Sequence, residues 1–207
     1  IEPPLLEALG CRVSAINLET DGRFPRPPEP LPENLGDLSR LVRESGADLG
    51  MAVDPDVDRL ALVNERGEPI GEDYTLAFAV RAVLRGLKAG SGTPTVVVNL
   101  STSLVVEDAA REHGARFFRA PVGEAHVARM IRDEGAVIGG EGNGGVILPS
   151  VHIGRDAPVG VALILQLLAQ SGHSVSELVG QHPRYAIVKA KGPRGAELRP
   201  LYDALRA

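Results

Sequence analysis

Between Asp73 and Gly139 the chain alternates short apolar runs with longer amphipathic ones, and this alternation restricts the fold more than any other feature. Pro94-Thr95-Val96-Val97-Val98 is apolar at successive positions, as a strand buried on both faces must be. Arg116–Arg119 and Ala136–Gly139 are further strand-length runs. Helical stretches separate them. Asp73 is placed to cap a helix through Leu76, Val80, Val83 and Leu84 to Gly86, Val105–His113 ends before Gly114, and Glu124–Asp133 is a third. His113 would then be a last-turn cation complementing the helix dipole. A βαβαβ rhythm needs crossover connections, and so predicts an α/β fold with a parallel or mixed sheet covered by helices.

Upstream, Pro3–Gly10 has helical spacing, Arg12–Leu18 alternates toward a strand, and Phe24–Pro32 carries five prolines and must be an extended loop. Leu35, Leu38, Leu41 and Val42 form an apolar stripe on a helix ending at Gly46. Downstream, Asp156 precedes a buried helix over Pro158–Ser171, and Ser174–Val179 is a shorter one. Pro183–Val188 is strand-like and Glu197–Ala207 begins another helix. Opening and closing within helical patterns, the chain looks like the middle of a longer protein. It divides into units at 1–69, 70–182 and 183–207.

The chemistry is concentrated in two loops. Asp54-Pro55-Asp56-Val57-Asp58-Arg59 lies between the apolar runs Leu49–Val53 and Leu60–Val63, where a parallel sheet would place an active site. Aspartates at alternate positions repel one another, and oxygens from Asp54, Asp56 and Asp58 suit a hard divalent ion such as Mg²⁺, with a coordination position left for a phosphate oxygen. Arg59 cannot ligate a cation, but its planar fork suits the same phosphate. The alternative is a solvated turn whose aspartates cap local amides. The second loop is Gly139-Gly140-Glu141-Gly142-Asn143-Gly144-Gly145. It matches the spaced glycines of a dinucleotide site, yet Val146–Pro149 reads as a strand where that site needs a helix. No Lys-Ser or Lys-Thr follows, which excludes a P-loop. Glu141 and Asn143 remain, projecting from one side and able to hydrogen-bond vicinal hydroxyls; the alternative is a glycine-rich hairpin without chemical meaning.

Composition removes several function classes. With 22 basic and 27 acidic residues the net charge is −5 and no basic run tracks a phosphate backbone, so nucleic acid is not an expected partner. The longest apolar run, Val159–Ala169, contains Gln166 and is too short to span a bilayer. Cys11 is the only cysteine, which excludes an internal disulfide and a cysteine zinc site. Without a recognisable signal peptide, the expected location is the cytoplasm.

Together the two loops resemble those of the α-D-phosphohexomutases, the superfamily of phosphoglucomutase, phosphomannomutase and phosphoglucosamine mutase. Asp54–Arg59 is similar to their metal loop, usually Asp-Gly-Asp-x-Asp-Arg, and Gly140–Gly145 to their sugar-recognition loop. The resemblance implies two mixed-sheet α/β domains, the first incomplete: 1–69 the C-terminal part of a metal-binding domain 2, 70–182 a sugar-recognition domain 3, and 183–207 a linker and the start of a phosphate-binding domain 4. It implies that Asp54, Asp56 and Asp58 bind Mg²⁺ and that Arg59 steadies a phosphoserine supplied by a domain outside this chain. Glu141 and Asn143 would read the sugar 3- and 4-hydroxyls, with Ser101 and the Pro121-Val122-Gly123-Glu124 loop on the substrate side. The implied reaction interconverts hexose 1- and 6-phosphates through a hexose 1,6-bisphosphate. Many members end the sugar loop in histidine, where this chain has Gly145, leaving His126 and His152 as nearby proton-transfer candidates. No Ser-His-Asn-Pro type motif occurs, so the 207 residues alone are expected to be inactive. Among enzymes the runner-up to a phosphomannomutase/phosphoglucomutase is phosphoglucosamine mutase. Two further readings are a stand-alone module binding metal or sugar phosphate, and a haloacid-dehalogenase phosphatase with Asp56 as nucleophile, which needs a downstream lysine, whereas Lys88 lies in a glycine-rich linker with no evident route to the loop.

Overall fold

A computed structural model describes residues 2–19, 21–88, 90 and 92–187. Helix α1 (Glu2–Ala8) is followed by irregular chain through the proline segment to a 3-10 turn at Pro32–Asn34. Next come α2 (Gly36–Ser45), β1 (Leu49–Val53) and β2 (Leu60–Asn64). Strands β1 and β2 pair antiparallel, Val53 opposite Leu60, so the aspartate loop is a hairpin connection and not the end of a parallel strand. A six-residue link is too short for the crossover that parallel pairing needs.

The larger sheet follows. It is built from α3 (Glu72–Gly86), β3 (Thr95–Asn99), α4 (Leu104–Arg111), β4 (Arg116–Ala120), α5 (Glu124–Glu134), β5 (Ile138–Glu141) and β6 (Gly145–Ile147), then α6 (Ala157–Ser171) and α7 (Val175–Gly180). Strand order is β4-β3-β5-β6, with β3 parallel to β4 and β5, and β6 antiparallel to β5. The mixed sheet and its helices agree with the α/β expectation.

Strand β3 shows why the valine run has no polar position. Val96 and Val98 enter the core with α3, α4 and α6, while Val97 faces the opposite cluster with Val127 and Ile131 of α5. Strand β2 has the same character. Leu60 and Leu62 join the main core, and Ala61 and Val63 pack with Leu35 and Val42 under α2. The hairpin carrying the aspartate loop is therefore clamped between α2 and the larger unit.

Several local expectations change. Arg12–Leu18 forms no strand; among the described residues none pairs with it, and Leu18 is exposed. Asp73 is not the cap of α3: Gly71 holds that position, and Asp73 Oδ1 instead accepts from the Ser103 amide at 2.9 Å. Helix α4 is capped by Ser103 and ends at Arg111, so His113 lies beyond it, its Nδ1 3.2 Å from the Ala109 carbonyl oxygen. Residues 183–187 are not a strand, and Val188 and Glu197–Ala207 lie outside the described residues. Asp156 does cap α6 through the Val159 amide, and Ser174 and Glu177 complete a capping box on α7. Among the described residues no helix is long and apolar enough to cross a membrane.

Candidate active site

Asp54 closes the metal loop on itself. Its Oδ1 accepts from the amides of Asp58 (3.1 Å) and Arg59 (3.0 Å), and its side chain is only 6% exposed. Val57 sits at φ 60°, a left-handed conformation a β-branched residue avoids. Neighbours on both sides hold it there: its amide donates to the Asp54 carbonyl, and its own carbonyl accepts from the Ala157 amide at the start of α6 (3.2 Å). Asp54, Asp56 and Asp58 each offer an oxygen within 4.8 Å of the others. Burial pushes the Asp58 carboxyl up to about 6, against the pull of Arg155 and with help from the neighbouring Asp54 and Asp56. Its Oδ1 is buried with no hydrogen-bond partner. An orphaned buried carboxylate oxygen beside two further carboxylates fits a hard divalent cation. The solvated-turn alternative accounts for Asp54 but not for Asp58.

Arg59 lies over the same loop, its Nε 3.5 Å from Asp54 Oδ2 and 3.8 Å from Asp58 Oδ1. Glu29 of the proline segment is 3.6 Å from its terminal nitrogen. From that segment Arg26 also reaches the Val53 carbonyl at 2.7 Å, at the end of β1. Sequence reading treated this segment as a plain loop; neither Arg26 nor Glu29 carries a local signal.

The glycine-rich segment is the β5–β6 hairpin, which rules out the helix a dinucleotide site would need. Glu141, at its entrance, is 5% exposed. Its Oε1 accepts from Asn99 Nδ2 (2.7 Å) and the Gly123 amide (3.2 Å), and its Oε2 from Arg155 (3.0 Å). The Asn99 carboxamide oxygen in turn accepts from the Ser101 amide and hydroxyl and from the Thr102 hydroxyl. Ser101 thus reaches Glu141 through Asn99, at the end of β3, and Gly123 bonds Glu141 directly. Asn143 is partly exposed and accepts from the Gly145 amide. With Arg59, Gly142, Asp73, Tyr74 and Ser103 it lines a cavity of about 760 Å³. Glu141 is not among the residues lining that cavity; its carboxylate is held in the polar network. His126 and His152 are exposed, and the His152 ring lies against Gly154, as does Glu124.

The two loops are physically joined. The buried Leu60 amide donates to the Gly144 carbonyl at 3.1 Å, and Gly144, at φ 90°, lets the hairpin come that close. A Cβ there would stand 2.5 Å from the Leu60 oxygen. Arg155 bonds Asp58 with one terminal nitrogen and Glu141 with the other. It was missed because nothing local marks it; it is 97 residues from Asp58. Asp54, Asp56, Asp58, Glu124 and Glu141 against Arg59 and Arg155 leave the region three charges negative, a strong field for a cation. Lys88, the lysine a phosphatase-type Asp56 would need, follows the C-terminus of α3, whose N-terminal residues line the site. Fifteen helical residues span about 22 Å, which sets Lys88 far from the loop.

Residues 1–67 match the family described as phosphoglucomutase/phosphomannomutase, alpha/beta/alpha domain II, and residues 71–185 match its domain III. The chain is 42% identical over 201 residues to a probable phosphoglucosamine mutase of Methanopyrus kandleri, covering 97% of this chain and 44% of that protein. It is 41% identical over 190 residues to the phosphoglucomutase/phosphomannomutase of Thermococcus kodakarensis, covering 91% and 41%. The crystal structure of a phosphoglucomutase/phosphomannomutase family protein from Burkholderia thailandensis superposes with a TM-score of 0.78 at 28% identity, covering 89% of this chain and 40% of that one. The chain thus spans less than half the length of these relatives. With both domain matches in sequence order over most of its length, it belongs to the phosphoglucomutase/phosphomannomutase family of the α-D-phosphohexomutase superfamily.

Proposed function

We propose that these residues form the metal- and sugar-binding part of a phosphohexomutase that interconverts hexose 1-phosphate and hexose 6-phosphate. In this reading 1–69 is the later part of the metal-binding domain, 70–182 the sugar-recognition domain, and 183–207 the linker into a phosphate-binding domain. The observation that carries it is the junction of the two loops, in which Arg155 links Asp58 to Glu141 and the Leu60 amide bonds Gly144. Family members work through an enzyme phosphoserine, which this reading places outside the 207 residues.

Asp54, Asp56 and Asp58 would hold Mg²⁺, which when bound supplies positive charge against the transferring phosphoryl group. Arg59 donates to the same group from the cavity side. Asn143 offers its amide to a sugar hydroxyl in that cavity. Glu141 has its Oε1 already shared by two donors, so its remaining capacity is on Oε2, beside Arg155. Ser101 and Gly123 set the substrate side of the Glu141 network. Transfer of phosphoryl from serine to the free hydroxyl of a hexose monophosphate gives the 1,6-bisphosphate. Return of the other phosphoryl to serine releases the isomer. Alignment and charge neutralisation are all the chain must supply.

Glucose or mannose phosphates and glucosamine phosphates have comparable support, since relatives of nearly equal identity carry both names. The test is turnover of glucose 1-phosphate, mannose 1-phosphate and glucosamine 1-phosphate by the intact protein with Mg²⁺, compared by kcat/KM. No turnover of any would overturn the reading. Turnover by the 207 residues alone would overturn the external phosphoserine and favour a complete site within this chain.

A further inference from the structure

Arg155 is enclosed by carboxylates from three separate elements: the aspartate loop, the start of α5 and the end of β5. Its terminal nitrogens bond Asp58 of the metal loop and Glu141 of the sugar loop, the latter at 3.0 Å. Its Nε lies 3.4 Å from Glu124 Oε2, and its backbone amide donates to Glu124 Oε1 at 2.8 Å. The side chain is 13% exposed, which makes it the better desolvated of the two guanidinium groups, Arg59 being 28% exposed. The stem fits because residue 145 has no side chain. A Cβ on Gly145 would stand 2.3 Å from Arg155 Cδ and 2.9 Å from its Cγ. The space a side chain at position 145 would need is thus filled by the arm of an arginine from the segment between β6 and α6.

We propose that Arg155 is a positioning residue that holds Asp58 and Glu141 in register, its stem occupying the space that glycine leaves at position 145. The inference rests on the mutase reading for its catalytic consequence, but not for its geometry. By taking one oxygen of Asp58, Arg155 leaves the other, the buried Oδ1, without a hydrogen-bond partner, with only the Arg59 Nε 3.8 Å away, and so able to take a cation. It also competes with that cation electrostatically. A guanidinium beside a metal ligand lowers the field the ion feels, so its loss strengthens ion binding while the two loops lose their common reference. Opposite movement of metal affinity and turnover distinguishes this role from simple support of the fold, which would weaken both.

The experiment uses the intact protein and the variants Arg155→Met, Arg155→Lys and Gly145→Ala. Mg²⁺ binding is measured alone by titration calorimetry, and turnover with glucose 1-phosphate or whichever hexose phosphate the wild type accepts. Arg155→Met keeps most of the stem and removes the charge; it is expected to bind Mg²⁺ about three- to tenfold more tightly. Its kcat is expected to fall about a hundredfold, the order expected when reacting groups are misplaced by an ångström. Arg155→Lys restores wild-type Mg²⁺ affinity but only part of kcat, because one ammonium cannot serve both carboxylates in a fixed plane. Gly145→Ala, which drives the stem aside while keeping Arg155, lowers kcat in the same direction as Arg155→Met. Unchanged or weaker Mg²⁺ binding in Arg155→Met, or a kcat within threefold of wild type, overturns the proposal. If the wild type turns over no hexose phosphate, the mutase reading fails, and the Mg²⁺ comparison alone decides the role of Arg155.

Discussion

Replacing Gly144 by alanine tests the junction of the two loops through a quantity that needs no ligand. At φ 90° an L residue is strained by about 1 kcal/mol, even with open space around it. Here there is none: the new Cβ would lie 2.5 Å from the Leu60 carbonyl oxygen and 3.2 Å from the Leu60 nitrogen. Relieving that overlap to ordinary contact near 3.5 Å separates the hairpins by roughly 1 Å. The Leu60 amide, now 3.1 Å from the Gly144 oxygen, then passes beyond hydrogen-bonding distance. Leu60 is fully buried, so its N–H is left unsatisfied at about 1–3 kcal/mol. The total is about 2–4 kcal/mol, a fall of roughly 5–15 °C in Tm for a chain of this size. Gly172→Ala is the internal control. It has φ 68° and no heavy atom within 4 Å of its Cβ, so only the conformational part applies, about 2–4 °C. Differential scanning calorimetry of both variants in EDTA gives the comparison. Equal shifts would refute the claim that the loops meet at Gly144.

Asp54→Asn keeps an acceptor for the Asp58 and Arg59 amides but removes a charge; calorimetry should show Mg²⁺ affinity down at least about tenfold, and unchanged affinity would place the ion elsewhere. Glu65 reaches from the β2 turn to the Ser176 hydroxyl and amide at the start of α7, so Glu65→Ala should lose about 1–3 kcal/mol in urea unfolding at pH 7. Burial pushes Glu65 up, but the Ser176 hydrogen bonds outweigh it and hold its pKa below the usual carboxylate value. Its contribution is therefore full above the unfolded value near 4.3 and lost as pH falls through the folded one, so wild type and variant converge in acid; a constant gap would contradict this. The His182 side chain is wholly buried with neither ring nitrogen bonded, and burial, followed by Arg81, lowers its pKa against Glu112 and Asp108. Below about pH 6.5 the unfolded chain takes up a proton the folded one resists, so stability falls from there down to the folded pKa. His182→Phe should flatten that slope by up to about 1.4 kcal/mol per pH unit, and identical slopes would show that His182 is not responsible.

What the sequence made legible was whatever depended on local pattern. The triple valine of β3 announced a doubly buried strand, and Asp156 announced the start of α6. The aspartate and glycine loops were legible as chemistry because their residue types are costly anywhere else. The pairing of β1 with β2 was misjudged from the apolar runs, although six intervening residues permit only a hairpin. Asp73 failed as a cap because a partner distant in sequence, the Ser103 amide, captured its carboxylate. Arg12–Leu18 had the alternation of a strand, but alternation describes a surface and not a neighbour to pair with. Arg155 acts only through tertiary contacts, so no window of sequence contains its signal, and the tie from Asn99 to Glu141 spans 42 residues.

The contacts that escaped the sequence are the ones that make the two loops a single site. Strand β2 is packed on both faces, its Leu60 carbonyl accepts from the buried Thr75 hydroxyl, and its Leu60 amide is committed to the sugar hairpin. The metal loop is further tied to the first turn of α6 through the Val57 carbonyl, and the strained backbone of Val57 persists because both of its peptide groups are held. Neither loop can shift by a hydrogen bond's length without breaking a buried contact of the other. Any rearrangement that admits or reorients a substrate must therefore carry the aspartate loop and the sugar loop as one body. On the mutase reading proposed above, a hexose turned end over end on Asn143 would meet the same Arg59 and the same carboxylates in both orientations, the constancy a reversible transfer between two ends of one sugar requires.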